Sequence, residues 1–161
     1  MKRMIMYALI GGAVFYAHAR ISFAEPKVMS WLMSHSTRAM SGDTTACDDY
    51  TDDVEVVLTA SGRSGRWEVE GGKNELCGYL RQAAAAFTVL QARVDTRYED
   101  IEITPASFPW MDASVSYTQI TDVRVGGLPP VTIETVDTLT VRRGLTGLKI
   151  SAVESESTGG L

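Results

Sequence analysis

The spacing of apolar residues changes several times along this chain, and each change marks a different kind of element. Behind Met1-Lys2-Arg3, residues 4–17 form a nearly unbroken apolar run. From Pro26 onward, Val28, Trp31, Leu32, His35 and Ala39 recur at the spacing of one buried helix face. Pro26 suits a first helical turn, where its missing N–H removes no bond. Ser41-Gly42-Asp43 ends that helix, and the polar residues 44–53 read as a short helix or turn. Residues 54–59 read as a strand, and 61–66, rich in Gly, Ser and Arg, as a hairpin-like excursion. Residues 67–72 lead into a second long helix over 73–87. It is marked by Leu76, Tyr79, Leu80, Ala83, Ala84 and Phe87, and its run of alanines suits close packing on a sheet.

Beyond Phe87 the period becomes two. Strands are predicted at 88–104, 113–125, 131–142 and 148–155, with turns at 105–109, 126–130 and 143–147. Residues 156–161 are expected to fray as a flexible tail. Helices first and a long antiparallel sheet last make an α+β domain over 26–155 rather than an α/β one. Strands of this length curl around a helix, which gives a cone of curved antiparallel sheet with a hollow end.

Residues 1–25 read as an address or an anchor. A basic start followed by the apolar run fits a signal peptide, with Ala17-His18-Ala19 and Ser22-Phe23-Ala24 as cleavage candidates. The run falls short of the roughly 20 apolar residues of a membrane span. Ile21, Phe23 and Ala24 extend it, with His18 and Arg20 reaching toward headgroups, and the segment then remains as a signal-anchor helix. Either way, positive charge stays inside and the domain faces the periplasm. The expected location is the bacterial inner membrane facing the periplasm, or the periplasm or exterior after cleavage.

The formal charge is −5, and the chain beyond Lys2, Arg3 and Arg20 is more acidic still. With no basic stripe to meet phosphates, nucleic acid is excluded as a partner. Cys47 and Cys77 fit an oxidising compartment, either as one disulfide or as two buried thiols. With two histidines and no CxxC or HxxxH, no metal site is implied. No P-loop, GxSxG or dinucleotide fingerprint is present, so no cofactor is implied either.

Element order and punctuation together resemble the nuclear transport factor 2-like superfamily, the cystatin-like cone of ketosteroid isomerases, polyketide cyclases and many non-enzymatic domains. The resemblance is carried by Met40-Ser41-Gly42-Asp43, Tyr50-Thr51-Asp52-Asp53-Val54-Glu55-Val56 and Trp67-Glu68-Val69-Glu70-Gly71-Gly72-Lys73. It continues through Leu76-Cys77-Gly78-Tyr79-Leu80 and residues 137–153. The isomerase branch uses a tyrosine oxyanion donor on the first helix, an aspartate base on the first strand and a protonated aspartate on a late strand. Those positions fall here on His35, Leu58 and Asp137. Leucine cannot move a proton, so the resemblance implies the fold without that isomerase chemistry.

His35 lies on the apolar helix face, and Asp137 alternates with Ile133, Thr135, Leu139 and Val141 on the inward side of its strand. The candidate pocket is therefore His35, Leu58 and Asp137, read either as a His–Asp pair at the floor of a ligand site or as a structural pair. Phe108-Pro109-Trp110 is a stiff apolar segment in a polar loop. With Trp67 it is a candidate partner-binding surface, a cover for the pocket mouth, or plain packing. Arg63, Arg66, Arg142 and Arg143 read as solvated.

Two functions follow. The first is a non-enzymatic, membrane-tethered, periplasm-facing interaction domain, a subunit of a bacterial membrane assembly. It would bind the membrane through its N-terminal helix, and other subunits or itself through the sheet. Conjugation, secretion, respiratory or photosynthetic complexes are its contexts. The alternative is an exported small-molecule binder, or an isomerase- or lyase-like enzyme, using His35 and Asp137. An open cavity of a few hundred Å3 lined by those two residues favours the second, and a cavity plugged by aromatics the first.

Overall fold

A computed structural model describes residues 2–62, 65–127, 129–144 and 147–159. Among these described residues, three helices, α1 (Lys2–Ser22), α2 (Glu25–Met40) and α3 (Lys73–Val89), accompany six strands. The strands are β1 (Tyr50–Gly62), β2 (Gly65–Gly71), β3 (Arg93–Pro105), β4 (Asp112–Arg124), β5 (Val131–Arg143) and β6 (Leu148–Gly159). A 3-10 turn, Thr44–Asp49, joins α2 to β1.

The end of α2 shows how local sequence aims the chain. Gly42 takes φ 74°, a left-handed conformation that glycine adopts without a Cβ penalty. Its N–H donates to the Ala39 carbonyl at 3.2 Å, and the Asp43 N–H donates to the Arg38 carbonyl at 3.0 Å. This paired closure caps the last helical carbonyls and turns the chain back. Asp43 then caps the 3-10 turn by accepting the Thr45 N–H at 2.9 Å. The turn runs back beside α2 and delivers Asp49 and Tyr50 to it. At the start of α3, the Gly72 N–H donates to the Glu75 carboxylate at 3.0 Å, a self-made N-terminal cap.

The sheet order is β2-β1-β6-β5-β4-β3. Every neighbouring pair is antiparallel except β1–β6, which is parallel. The antiparallel sheet expected from sequence is thus present with one parallel pair added. After the β5–β6 hairpin, the chain's last strand lies against its first, and the two ends run the same way.

Three element limits also differ. Residues 67–72 belong to a strand as far as Gly71, because Val69 pairs with Leu58 before α3 begins. The strand expected from 88 begins at Arg93, because α3 continues to Val89 and Gln91 breaks it at φ 48°. The expected tail from 156 is paired to β5 as far as Gly159, so it is ladder rather than frayed end.

The core lies between α2, α3 and the inner sheet face. Val28, Val115, Val141 and Ile150 are almost wholly buried there. Phe23, just beyond α1, belongs to the same cluster. Cys47 and Cys77 form a disulfide that ties the 3-10 turn to α3.

Candidate functional site

The helices and the sheet leave a cavity of about 290 Å3 between them. His35 enters it from α2, Leu58 from β1 and Asp137 from β5, so all three sequence-predicted pocket residues share one wall system. No Lys or Arg is among its described lining residues.

The expected His35–Asp137 pair is replaced by a different one. His35 Nδ1 lies 2.8 Å from Asp49 Oδ2, and Nε2 lies 2.9 Å from the Tyr50 hydroxyl. Both ring nitrogens are therefore occupied without Asp137. Arg38, three residues along the same face of α2, also donates to the Asp49 carboxylate. Burial alone would raise the Asp49 pKa. The His35 hydrogen bond and the charges of His35 and Arg38 outweigh it and hold this carboxyl below its ordinary range. An ionised Asp49 only accepts, so His35 carries its proton on Nδ1. In the neutral ring, Nε2 then accepts the Tyr50 O–H. Burial, with Asp49 and Asp137 nearby, pushes the Tyr50 phenol strongly upward and keeps it a donor.

Asp137 has its own neighbours. It stands in register between Tyr117 on β4 and Ser155 on β6, a row of three across the inner sheet face. Burial raises its pKa, and the Ser155 and Tyr117 hydroxyls moderate the rise. Tyr117 is itself pushed well up, first by burial and then by the Asp137 charge. Tyr98 packs edge-on against Tyr117 with ring centroids 5.4 Å apart. The polar side of the cavity includes a carboxyl, an imidazole and the phenols of Tyr50, Tyr98 and Tyr117, with Gln119, Thr135, Ser155 and Ser157 beside them. Asp49 and these three tyrosines are additions to the sequence-predicted set. The inward alternation of β4 marks Tyr117, whereas Asp49 sits in a polar stretch with no periodic signal.

The aromatic loop lies elsewhere. Phe108 and Trp110 do not line the cavity. Trp110 packs against Phe15 and Tyr16 of α1, at centroid distances of 6.4 and 5.1 Å. Phe108 is 76% exposed, and Trp67 stands half-exposed on β2.

Arg143, expected in solvent, is buried beneath α1. Its Nη1 lies 2.8 Å from His18 Nδ1, and its guanidinium lies 4.4 Å from the centre of the Phe15 ring. His18, exposed on α1, accordingly gives one ring nitrogen as acceptor to this buried guanidinium. Arg20 bonds the Tyr16 hydroxyl at 2.9 Å. Arg142 pairs with Asp112 at 3.0 Å, Arg66 is exposed beside Glu68, and Arg63 lies outside the described residues. Among the described residues, no helix is long and apolar enough to cross a membrane.

No family model matches this sequence, and no curated protein does. Solved structures do match its shape. An NTF2-like protein with a cystatin-like fold from Novosphingobium aromaticivorans is 14% identical, with a TM-score of 0.61 over 89% of this chain and 86% of its own. Aln2 from a Streptomyces species is 17% identical, with a TM-score of 0.62 over 80% and 86%. The beta subunit of benzoate 1,2-dioxygenase from Burkholderia mallei is 12% identical, with a TM-score of 0.63 over 85% and 91%. At these identities the likeness concerns fold alone. Helices packed on a six-stranded, mostly antiparallel sheet around a hollow core give this chain the nuclear transport factor 2-like, cystatin-like cone fold.

Proposed function

We propose that this chain binds a small, uncharged, largely apolar molecule bearing one or two oxygen functions. One observation carries the reading: His35, Leu58 and Asp137 line a single cavity of about 290 Å3. That size lies at the lower end for small-molecule sites. The lining suits an uncharged ligand, because a buried anion would meet no Lys or Arg there. Tyr98, Tyr117 and an Asp137 whose burial favours the protonated form supply donors for a carbonyl or hydroxyl oxygen. The lyase- or isomerase-like form of this reading assigns proton transfer to His35 through Tyr50, since Leu58 at the first-strand position carries no proton. Calorimetric titration with 2-naphthol, 1-tetralone and 2-naphthoate tests it. The two neutral compounds should bind, and Ala83→Trp should abolish that binding by filling the cavity. Preference for the carboxylate, or binding that survives the filled cavity, would overturn the reading.

The membrane-tethered interaction domain remains as a second proposal, supported by α1. Tyr7, Leu9 and Val14 are each at least 64% exposed, an apolar surface without an intramolecular cover. In that reading α1 holds the cone at the periplasmic face of a membrane or against an apolar subunit. Phe108 and Trp67 are its candidate partner contacts. Flotation of the full chain with anionic and zwitterionic vesicles tests the lipid form, and a chain that stays at the bottom with both would remove it.

A further inference from the structure

A second hollow adjoins the first. It is an open groove of about 610 Å3 between the C-terminal half of α2, the end of α3 and β3. Ser36, Met40, Phe87 and Tyr98 line both spaces, so the groove begins at the mouth of the inner cavity. None of its described lining residues is charged. Several of its hydroxyls already serve the backbone. Thr37 donates to the Met33 carbonyl at 2.8 Å, Thr88 to the Ala84 carbonyl at 2.9 Å and Ser41 to the Arg38 carbonyl at 2.9 Å. A ligand lying there finds few free donors. It finds instead Phe87, Val94 and two methionines, whose unbranched thioethers adapt to flexible apolar groups.

We infer that the ligand is an amphipath: a neutral oxygenated ring seated in the inner cavity, with an apolar tail leaving past Met40 and Phe87 into the groove. This rests on the small-molecule reading above and adds the tail to it. The volumes require a division of this kind. At about 30 Å3 for each water-sized group, the inner cavity holds on the order of ten heavy atoms, a ring system and little more. A longer molecule must emerge at the shared mouth, and the surface it meets is uncharged, with the hydroxyls of Thr37, Ser41 and Thr88 already engaged. A peptide or a polar chain would exchange many solvent hydrogen bonds for few there.

The test is a homologous series of 4-alkylphenols, from 4-methylphenol to 4-octylphenol, titrated calorimetrically into the full chain. Dissociation constants should fall by about two- to fourfold per added methylene, up to the value for full burial. The fall should continue well beyond the propyl chain. Met33, which lines the groove and not the inner cavity, separates the two spaces. Met33→Asp should weaken 4-octylphenol at least tenfold and leave 4-methylphenol unchanged. Binding of 4-methylphenol with no gain beyond propyl overturns the tail while sparing the pocket, as does equal loss for both phenols in the variant. Failure of every phenol to bind overturns the tail and the pocket together.

Discussion

His35 Nδ1 lies 2.8 Å from the Asp49 carboxylate, and this contact sets which face of the imidazole can act in the cavity. With Nδ1–H held by Asp49, only Nε2 is left for the Tyr50 hydroxyl and for the interior. Replacing Asp49 by Asn removes the acceptor charge, and Arg38 loses the partner it shares with His35. Hydrogen bonds to charged groups contribute roughly 1.5–3 kcal/mol. Asp49→Asn should therefore lose about 2 kcal/mol in chemical denaturation and bind 2-naphthol more weakly. An unchanged midpoint would show that the Asp49 contact is incidental.

The same contact has a pH signature. The folded Asp49 carboxyl sits below its ordinary value of 3.8. Its stabilisation is therefore complete above the unfolded pKa and is lost as pH falls through the folded one. Wild-type protein should lose stability in acid more steeply than Asp49→Asn does. Parallel acid limbs in the two proteins would contradict this assignment.

Asp137 should behave with the opposite sign. Burial raises its folded pKa above 3.8, with Ser155 and Tyr117 moderating the rise. Between the unfolded and folded values the unfolded chain ionises while the native protein retains its proton. Rising pH thus favours unfolding across that window, and the penalty stays constant above it. Asp137→Asn should match wild type near pH 3 and become the more stable protein as pH rises toward neutrality. Thermal melts across pH 3–8 decide the matter, and a variant less stable than wild type at neutral pH would mean that the ionised carboxylate is well satisfied.

Much of this site could be read before the structure, for reasons that also explain the misses. Helical spacing brought His35 inward, and strand alternation did the same for Asp137. Both signals are local and periodic, and both residues line the cavity. The partner of His35 lies 14 residues away across a capped 3-10 turn, where polar sequence carries no period. The parallel β1–β6 pair joins residues about a hundred positions apart, which no local pattern records. Residue type places Arg143 in solvent, but the α1 helix brings an aromatic face and an imidazole over it. Likewise the strand over 148–155 is legible in the sequence, whereas residues 156–159 read as a polar tail because their pairing with β5 is not local.

The disulfide makes a separate prediction. Cys47 and Cys77 are 30 residues apart, and their bond fixes the 3-10 turn that carries Asp49 to the helix opposite. Loop-closure entropy for that separation corresponds to about 3–4 kcal/mol, with measured bridges spread around it. Cys47→Ala/Cys77→Ala should lose about 2–4 kcal/mol. It should also exchange the amides around Asp49 faster than those of β1. Uniform faster exchange would place the effect on global stability alone.

The junction after α1 decides how the N-terminal segment is to be understood. Cleavage at either small-residue site would remove residues that the fold uses. Ala19, Ser22 and Phe23 are each at most 5% exposed, and Phe23 packs in the main core cluster. Arg143 beneath the helix makes no ion pair with a described carboxylate, and rests on the His18 ring nitrogen and the Phe15 face of α1, with the Met111 sulfur beside it. Loss of α1 would leave this cation, Trp110 and the core edge at Phe23 open to water. Truncating a buried phenylalanine costs roughly 3–5 kcal/mol. Phe23→Ala should therefore destabilise the domain by about 3 kcal/mol, whereas Tyr7→Ala, on the exposed face of α1, should change stability by less than about 0.5 kcal/mol. Native protein analysed by intact mass should retain residues 15–24 for the same reason. A mature chain beginning at Glu25 with undiminished stability would show that the α1 contacts are dispensable and that the cone closes without them.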